Sequence, residues 1–133
     1  MKLLIKNAHV VSDFYDMDKL MDVYISDGII KEVGENLDYD CEVLNADGNV
    51  LMPGLIDISC KICESGYENK DNVIRVSESA AAGGFTTLTT SPNTLPIIDN
   101  KSVVEYVYAK AAAGSVVNMF LFGSMTKGCE GVE

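Results

Sequence analysis

Histidine is almost missing from this chain: His9 is the only one in 133 residues. A metal site built on paired imidazoles needs at least two such rings close together, so no local histidine pair can form here. His9 itself lies in the short apolar run near the N-terminus and reads as a surface or packing residue. Positive charge is scarce as well. Ten Lys and Arg stand against twenty Asp and Glu, for a net charge of −10. Phosphate-backbone binding relies on clustered Lys and Arg, and no cluster occurs, which argues against nucleic acid as a partner. No segment reaches the roughly 18 consecutive apolar residues that a membrane helix requires. The opening MKLLIKNAHVVSDF has no small-residue cleavage site of the secretory kind. The glycines form no G-x-x-x-x-G-K phosphate loop. These absences point to a cytoplasmic protein with neither nucleic-acid nor membrane partners.

The four cysteines, Cys41, Cys60, Cys63 and Cys129, are accordingly expected as free thiols. Cys60 and Cys63 have the spacing of a redox or zinc pair. Residues three apart on a strand face opposite sides, however, and no second such pair follows, so a working thiol pair is not expected. Asp13, Asp16 and Asp18 lack the glycine and terminal glutamate of a calcium loop and read as a solvated loop.

What is present is enough for one ordinary domain: 47% hydrophobic and 23% charged residues, which can bury a core. Residues 1–52 read as short strands between turns. Apolar runs at 3–5 and 10–11 flank Lys6-Asn7, and 22–25 and 29–33 flank Asp27-Gly28. The runs 41–44 and 49–52 flank Asp47-Gly48. Asp-Gly between apolar runs is a hairpin signal, so both dipeptides predict hairpins in a small sheet. The character changes at Pro53-Gly54. A strand is expected over 55–62, a helix over 69–82 stopped by Gly83-Gly84, and a strand over 85–90. A loop with two prolines, a helix over 102–113 closed by Gly114, and a strand over 115–122 follow. This β-α-β-α-β order favours parallel strands joined by helical crossovers.

Five blocks carry a family resemblance: LLIKNAHVV, DVYISDGIIKEVGENL, LMPGLIDIS, AAAGGFTTL and SPNTLPIIDN. Through them the chain resembles the N-terminal third of a dihydroorotase, in the amidohydrolase superfamily. The resemblance implies an α/β fold: the first three β/α units of a (β/α)8 TIM-type barrel over 53–133, preceded by β-sandwich strands over 1–52. It also implies a zinc-dependent cyclic amidohydrolase of pyrimidine biosynthesis. Family members carry D-x-H-x-H-x-R-x-P-G in the first barrel strand. Here Ser59 and Lys61 occupy the two metal-binding histidine positions, Cys63 the position of the arginine that holds the substrate carboxylate, and Ser65 that of the proline. Strand alternation places Ser59, Lys61 and Cys63 on one face. A hydroxyl is a poor zinc ligand and an ammonium repels a cation, so no metal, cofactor or catalytic residue is expected where the family uses zinc. Asn93 matches the asparagine that contacts substrate in the family. Its retention for turn geometry alone stays open. The family's other ligands lie on later strands. The degenerate site resembles that of inactive homologues that hold aspartate transcarbamoylase in an assembled oligomer. The expectation is a non-catalytic, oligomeric protein whose partner is that enzyme or the remainder of its own barrel. The alternative is a divergent metal-dependent amidohydrolase, and a third reading is a module binding an anionic ligand through Lys61 and Asn93.

Overall fold

The computed structural model describes residues 1–132. The chain forms two compact units, Met1–Pro53 and one that begins at Gly54.

The first unit holds β1 (Lys2–Ser12), β2 (Met17–Ser26), β3 (Ile29–Gly34), β4 (Glu42–Asn45) and β5 (Val50–Leu51). They form one sheet in the order β3-β2-β1-β4, with β5 also on β1. Lys6 and Asn7 do not separate two strands, as the apolar runs suggested. They form a bulge inside β1, where the register with β2 shifts between Ile5 and Ala8 and Asn7 turns left-handed at φ 55°. Asp27-Gly28 makes the expected hairpin between β2 and β3, with φ values of 54° and 76°. Asp47-Gly48 does not make one. β4 and β5 both run parallel to β1, and the dipeptide is a jog that follows the bulge. There Ala46 donates to the Lys6 carbonyl and Gly48 to the Asn7 carbonyl, both at 2.8 Å. Asp22, only 6% exposed, pins the bulge by accepting from Asn7 N–H at 2.9 Å and Leu37 N–H at 3.0 Å. That leaves no orphan at its carboxylate. Ile5, Ala8, Val10 and Val23 form this unit's core.

The second unit holds β6 (Leu55–Cys60), α1 (Val73–Ala82), β7 (Phe85–Thr90), α2 (Lys101–Gly114) and β8 (Asn118–Leu121). The strands are parallel in the order β6-β7-β8, as the alternation predicts. Gly54 admits β6 beside β7, because a Cβ there would stand 2.1 Å from the Thr86 methyl. Both helices start on asparagine caps. The Asn72 side chain accepts from Arg75 N–H at 3.0 Å and that of Asn100 from Val103 N–H at 3.2 Å. The helix expected from residue 69 therefore begins at Val73, since Lys70 and Asp71 turn back onto the Tyr67 carbonyl. Gly84, at φ 82°, ends the α1 segment as expected. β8 is shorter than the apolar run 115–122, because Ser115 is held by its own local turn to the Val117 carbonyl. Helices and sheet share a core of Ile62, Val73, Leu88, Ile98, Val103, Val107 and Met119. Among the described residues no helix is long and apolar enough to cross a membrane.

Candidate functional site

In parallel α/β sheets, ligands bind beyond the carboxyl ends of the strands. Here one rung ends all three strands: Cys60 pairs with Thr90, and Thr90 with Leu121. Ser91 N–H then donates to the Cys60 carbonyl and Phe122 N–H to that of Thr90, each at 3.0 Å. The candidate site lies in the three segments that leave this rung.

The first segment corrects the expected strand. β6 stops at Cys60 rather than Ile62, so of Ser59, Lys61 and Cys63 only Ser59 lies on it. The ladder loosens between Asp57 and Cys60, where the Asp57 carboxylate takes the Ser59 N–H at 2.8 Å. Ser59 and Lys61 are both exposed and flank the inward-turned Cys60, while Ile62 is buried. Alternation thus persists two residues past the ladder. It ends at Cys63, which is half-buried and starts a turn by accepting from Tyr67 N–H at 2.9 Å. Burial, and then the Asp57 charge, push the Cys60 thiol above its ordinary pKa. All four cysteines are free, and Cys60 packs against the core.

Glu64 holds this segment in place. Its side chain is 5% exposed. One carboxylate oxygen accepts from Val73 N–H at 3.1 Å, at the first turn of α1. The other takes the Tyr106 hydroxyl and the Lys110 ammonium of α2, both at 3.3 Å. The Glu64 hydrogen bond and charge, with Tyr106, raise the Lys110 pKa. Nothing in the sequence pattern distinguishes this acid from a solvated one. Two residues on, Gly66 adopts φ +95°, and an ideal Cβ there would lie 2.2 Å from the Leu95 carbonyl oxygen. Leu95 N–H in turn donates to the Ser65 carbonyl at 2.8 Å. The first and second segments are therefore in direct backbone contact. The Ser65 and Thr90 hydroxyls are buried without a hydrogen-bond partner.

Asn93 lies in the second segment and is exposed. Pro92, one residue earlier, shapes the turn by accepting from Thr94 and Ile98 N–H at 2.8 and 3.1 Å. The third segment folds back over the second. Ser124 N–H donates to the Ile98 carbonyl at 2.7 Å, Gly128 N–H to Asp99 at 3.0 Å, and the Cys129 thiol stands 3.9 Å from the Asn93 side-chain oxygen. The Gly128 N–H, and then the Asn100 side chain, lower the Asp99 pKa. A depressed carboxyl contributes stability above its unfolded pKa and loses it as pH falls through the folded value. Acidification below about pH 4 should therefore release this fold-back, read as lost hydrogen-exchange protection at the Gly128 amide ahead of the helices.

Metal chemistry finds no fitting donors here. Ser59 offers a hydroxyl and Lys61 an ammonium, neither suited to a divalent cation. Among the described residues no three His, Cys, Asp or Glu side chains gather to hold one. His9 is in the first unit, beside the Asp18 carboxylate at 2.5 Å.

A protein-family model described as Dihydro-orotase-like matches residues 48–133. The chain is 43% identical over its full length to a protein named Dihydroorotase from Ruminiclostridium cellulolyticum, covering 31% of that protein. It is 38% identical over 98% of its length to a Dihydroorotase from Acetivibrio thermocellus, again covering 31%. Among solved structures, an L-hydantoinase (dihydropyrimidinase) from Arthrobacter aurescens superposes with a TM-score of 0.82 at 27% identity, over 91% of this chain and 27% of that one. A dihydroorotase crystal structure superposes with a TM-score of 0.65 at 18% identity, over 96% of this chain and 32% of that one, a likeness of fold. The architecture is thus that of the first three β/α units of a TIM-type amidohydrolase barrel with its preceding sandwich strands. The chain spans about a third of the length of the curated relatives it matches.

Proposed function

This chain belongs to the dihydroorotase-like family, and on that premise we propose that the protein is a non-catalytic member with a structural role in pyrimidine biosynthesis. Its partner is aspartate transcarbamoylase, which it holds in an assembled oligomer in the cytoplasm. One observation carries the reading. At the end of β6, Ser59 and Lys61 occupy the positions of the family's metal-binding histidines, and Cys63 that of its carboxylate-binding arginine. A cation cannot share its first coordination shell with an ammonium, and a thiol cannot reproduce a guanidinium's paired hydrogen bonds. Asn93, by contrast, keeps the family's substrate-contacting residue.

Identity of 43% to a protein named Dihydroorotase favours a second reading. In it, the protein is a divergent amidohydrolase that interconverts carbamoyl aspartate and dihydroorotate with a different donor set, and Asn93 orients the substrate. Turnover separates the two. The full-length protein should convert neither carbamoyl aspartate nor dihydroorotate, and it should elute with aspartate transcarbamoylase in size-exclusion chromatography. Turnover in either direction overturns the first reading.

A further inference from the structure

The hairpin that joins β1 to β2 presents two aromatic side chains to solvent. The Ser12–Met17 pair closes it, and its tip is the 3-10 turn Asp13–Tyr15 followed by Asp16. Phe14 is 87% exposed and Tyr15 68%. A single exposed apolar residue is ordinary, but two adjacent rings at a hairpin tip are not. The tip is also held in shape. The rings meet edge to face, with centroids 4.8 Å apart and planes at 84°, an arrangement that aromatic quadrupoles favour. Asp16 closes the turn in the left-handed conformation at φ 50°, and its N–H donates to the Asp13 carbonyl at 3.2 Å. A preorganised pair loses little freedom when a partner buries it, and aromatic residues dominate the centres of protein–protein contacts.

Charge decides which kind of partner fits. Asp13, Asp16 and Asp18 bracket the rings in the chain, and all three are exposed. Asp13 and Asp16 make no ion pair among the described residues, and Asp18 faces only His9. Lys19 is the lone base of this stretch. The tip is thus an apolar anchor among unpaired acids, and its complement is an apolar pocket rimmed by Lys or Arg. The same charge disfavours other occupants. An anionic lipid surface would repel the acids, and a second copy of this chain brings a further net charge of −10, which opposes self-association.

We propose that Phe14 and Tyr15 form a docking anchor that enters an apolar, basic-rimmed pocket on a partner protein. The proposal rests on the structural role above, which supplies the partner to probe, aspartate transcarbamoylase. The two rings provide the buried contact. The carboxylates of Asp13 and Asp16 steer the approach and fix its orientation.

The test is biolayer interferometry of the full-length protein against aspartate transcarbamoylase from the same organism, at low and high salt. Phe14→Ser should weaken binding about thirtyfold, the loss of one central aromatic contact. Asp13→Asn combined with Asp16→Asn keeps the rings and the left-handed turn. It should slow association about threefold at low salt and flatten the salt dependence. Phe14 is exposed, so Phe14→Ser should melt like the parent and keep its oligomeric mass. A lower melting temperature would assign the rings to a contact within the longer chain. A smaller mass without transcarbamoylase present would assign them to a second copy. Either result overturns the proposal. Binding that Phe14→Ser leaves unchanged also overturns it, while the structural role stands. A parent protein that does not bind transcarbamoylase overturns both.

Discussion

Replacing Gly66 by alanine should destabilise the protein by about 3 kcal/mol, from left-handed backbone strain and overpacking together. Gly66 adopts φ +95°, where side-chain-bearing residues rarely go, and its added methyl would lie 2.2 Å from the Leu95 carbonyl oxygen. That neighbour is backbone, so it cannot rotate away. Moving it would strain the Leu95 N–H bond to the Ser65 carbonyl, 2.8 Å long, which ties the two site segments together. Gly48→Ala is the matched control. Gly48 also has a positive φ, +81°, but nothing lies within 4 Å of its Cβ, so backbone strain alone should cost about 1 kcal/mol. Urea denaturation of both variants decides it. Equal losses would mean that the Gly66 contact carries no energy.

Glu64→Leu should cost about 2–3 kcal/mol, because it leaves buried polar groups without partners. The change orphans Val73 N–H at the start of α1 and removes the acceptor shared by Tyr106 and Lys110. Glu64→Gln keeps a carbonyl oxygen for Val73 and should lose about 1 kcal/mol. Lys110→Met should lose less than either Glu64 variant, because the Lys110 side chain is 48% exposed and water replaces its partner. Thermal melts should rank Leu, Gln and the Lys110 variant in that order. A Glu64→Leu protein as stable as the parent would show that the segment carrying Lys61 is held by its apolar contacts alone.

Where local chemistry decided the structure, the sequence was readable. Asp27-Gly28 and Gly83-Gly84 supply the left-handed conformers that a hairpin and a helix stop require, and both features appear. Asp47-Gly48 carries the same dipeptide but makes no hairpin, because its flanking strands pair with β1 across a bulge about forty residues away in sequence. Strand ends were unreadable for a related reason. Ile62 continues the apolar pattern of β6, yet it enters the core from the segment between the ladder's end and the turn that follows.

The site divides the same way. Ser59, Lys61, Cys63 and Asn93 were found because a family pattern marks their positions, and the structure places Ser59, Lys61 and Asn93 exposed around one strand-end rung. Glu64 was missed because a buried acid looks like a surface acid until its partners are known. Those partners stand 9 and 42 residues away. The fold-back of Cys129 over Asn93, 36 residues apart, left no local trace either.

The central claim is that a barrel strand has kept its packing and lost its metal chemistry at Ser59 and Lys61. Metal content tests it most directly: the full-length protein, expressed in zinc-supplemented medium and desalted, then analysed for zinc by mass spectrometry. The prediction is no stoichiometric zinc. Zinc retained at one or more ions per chain would contradict it.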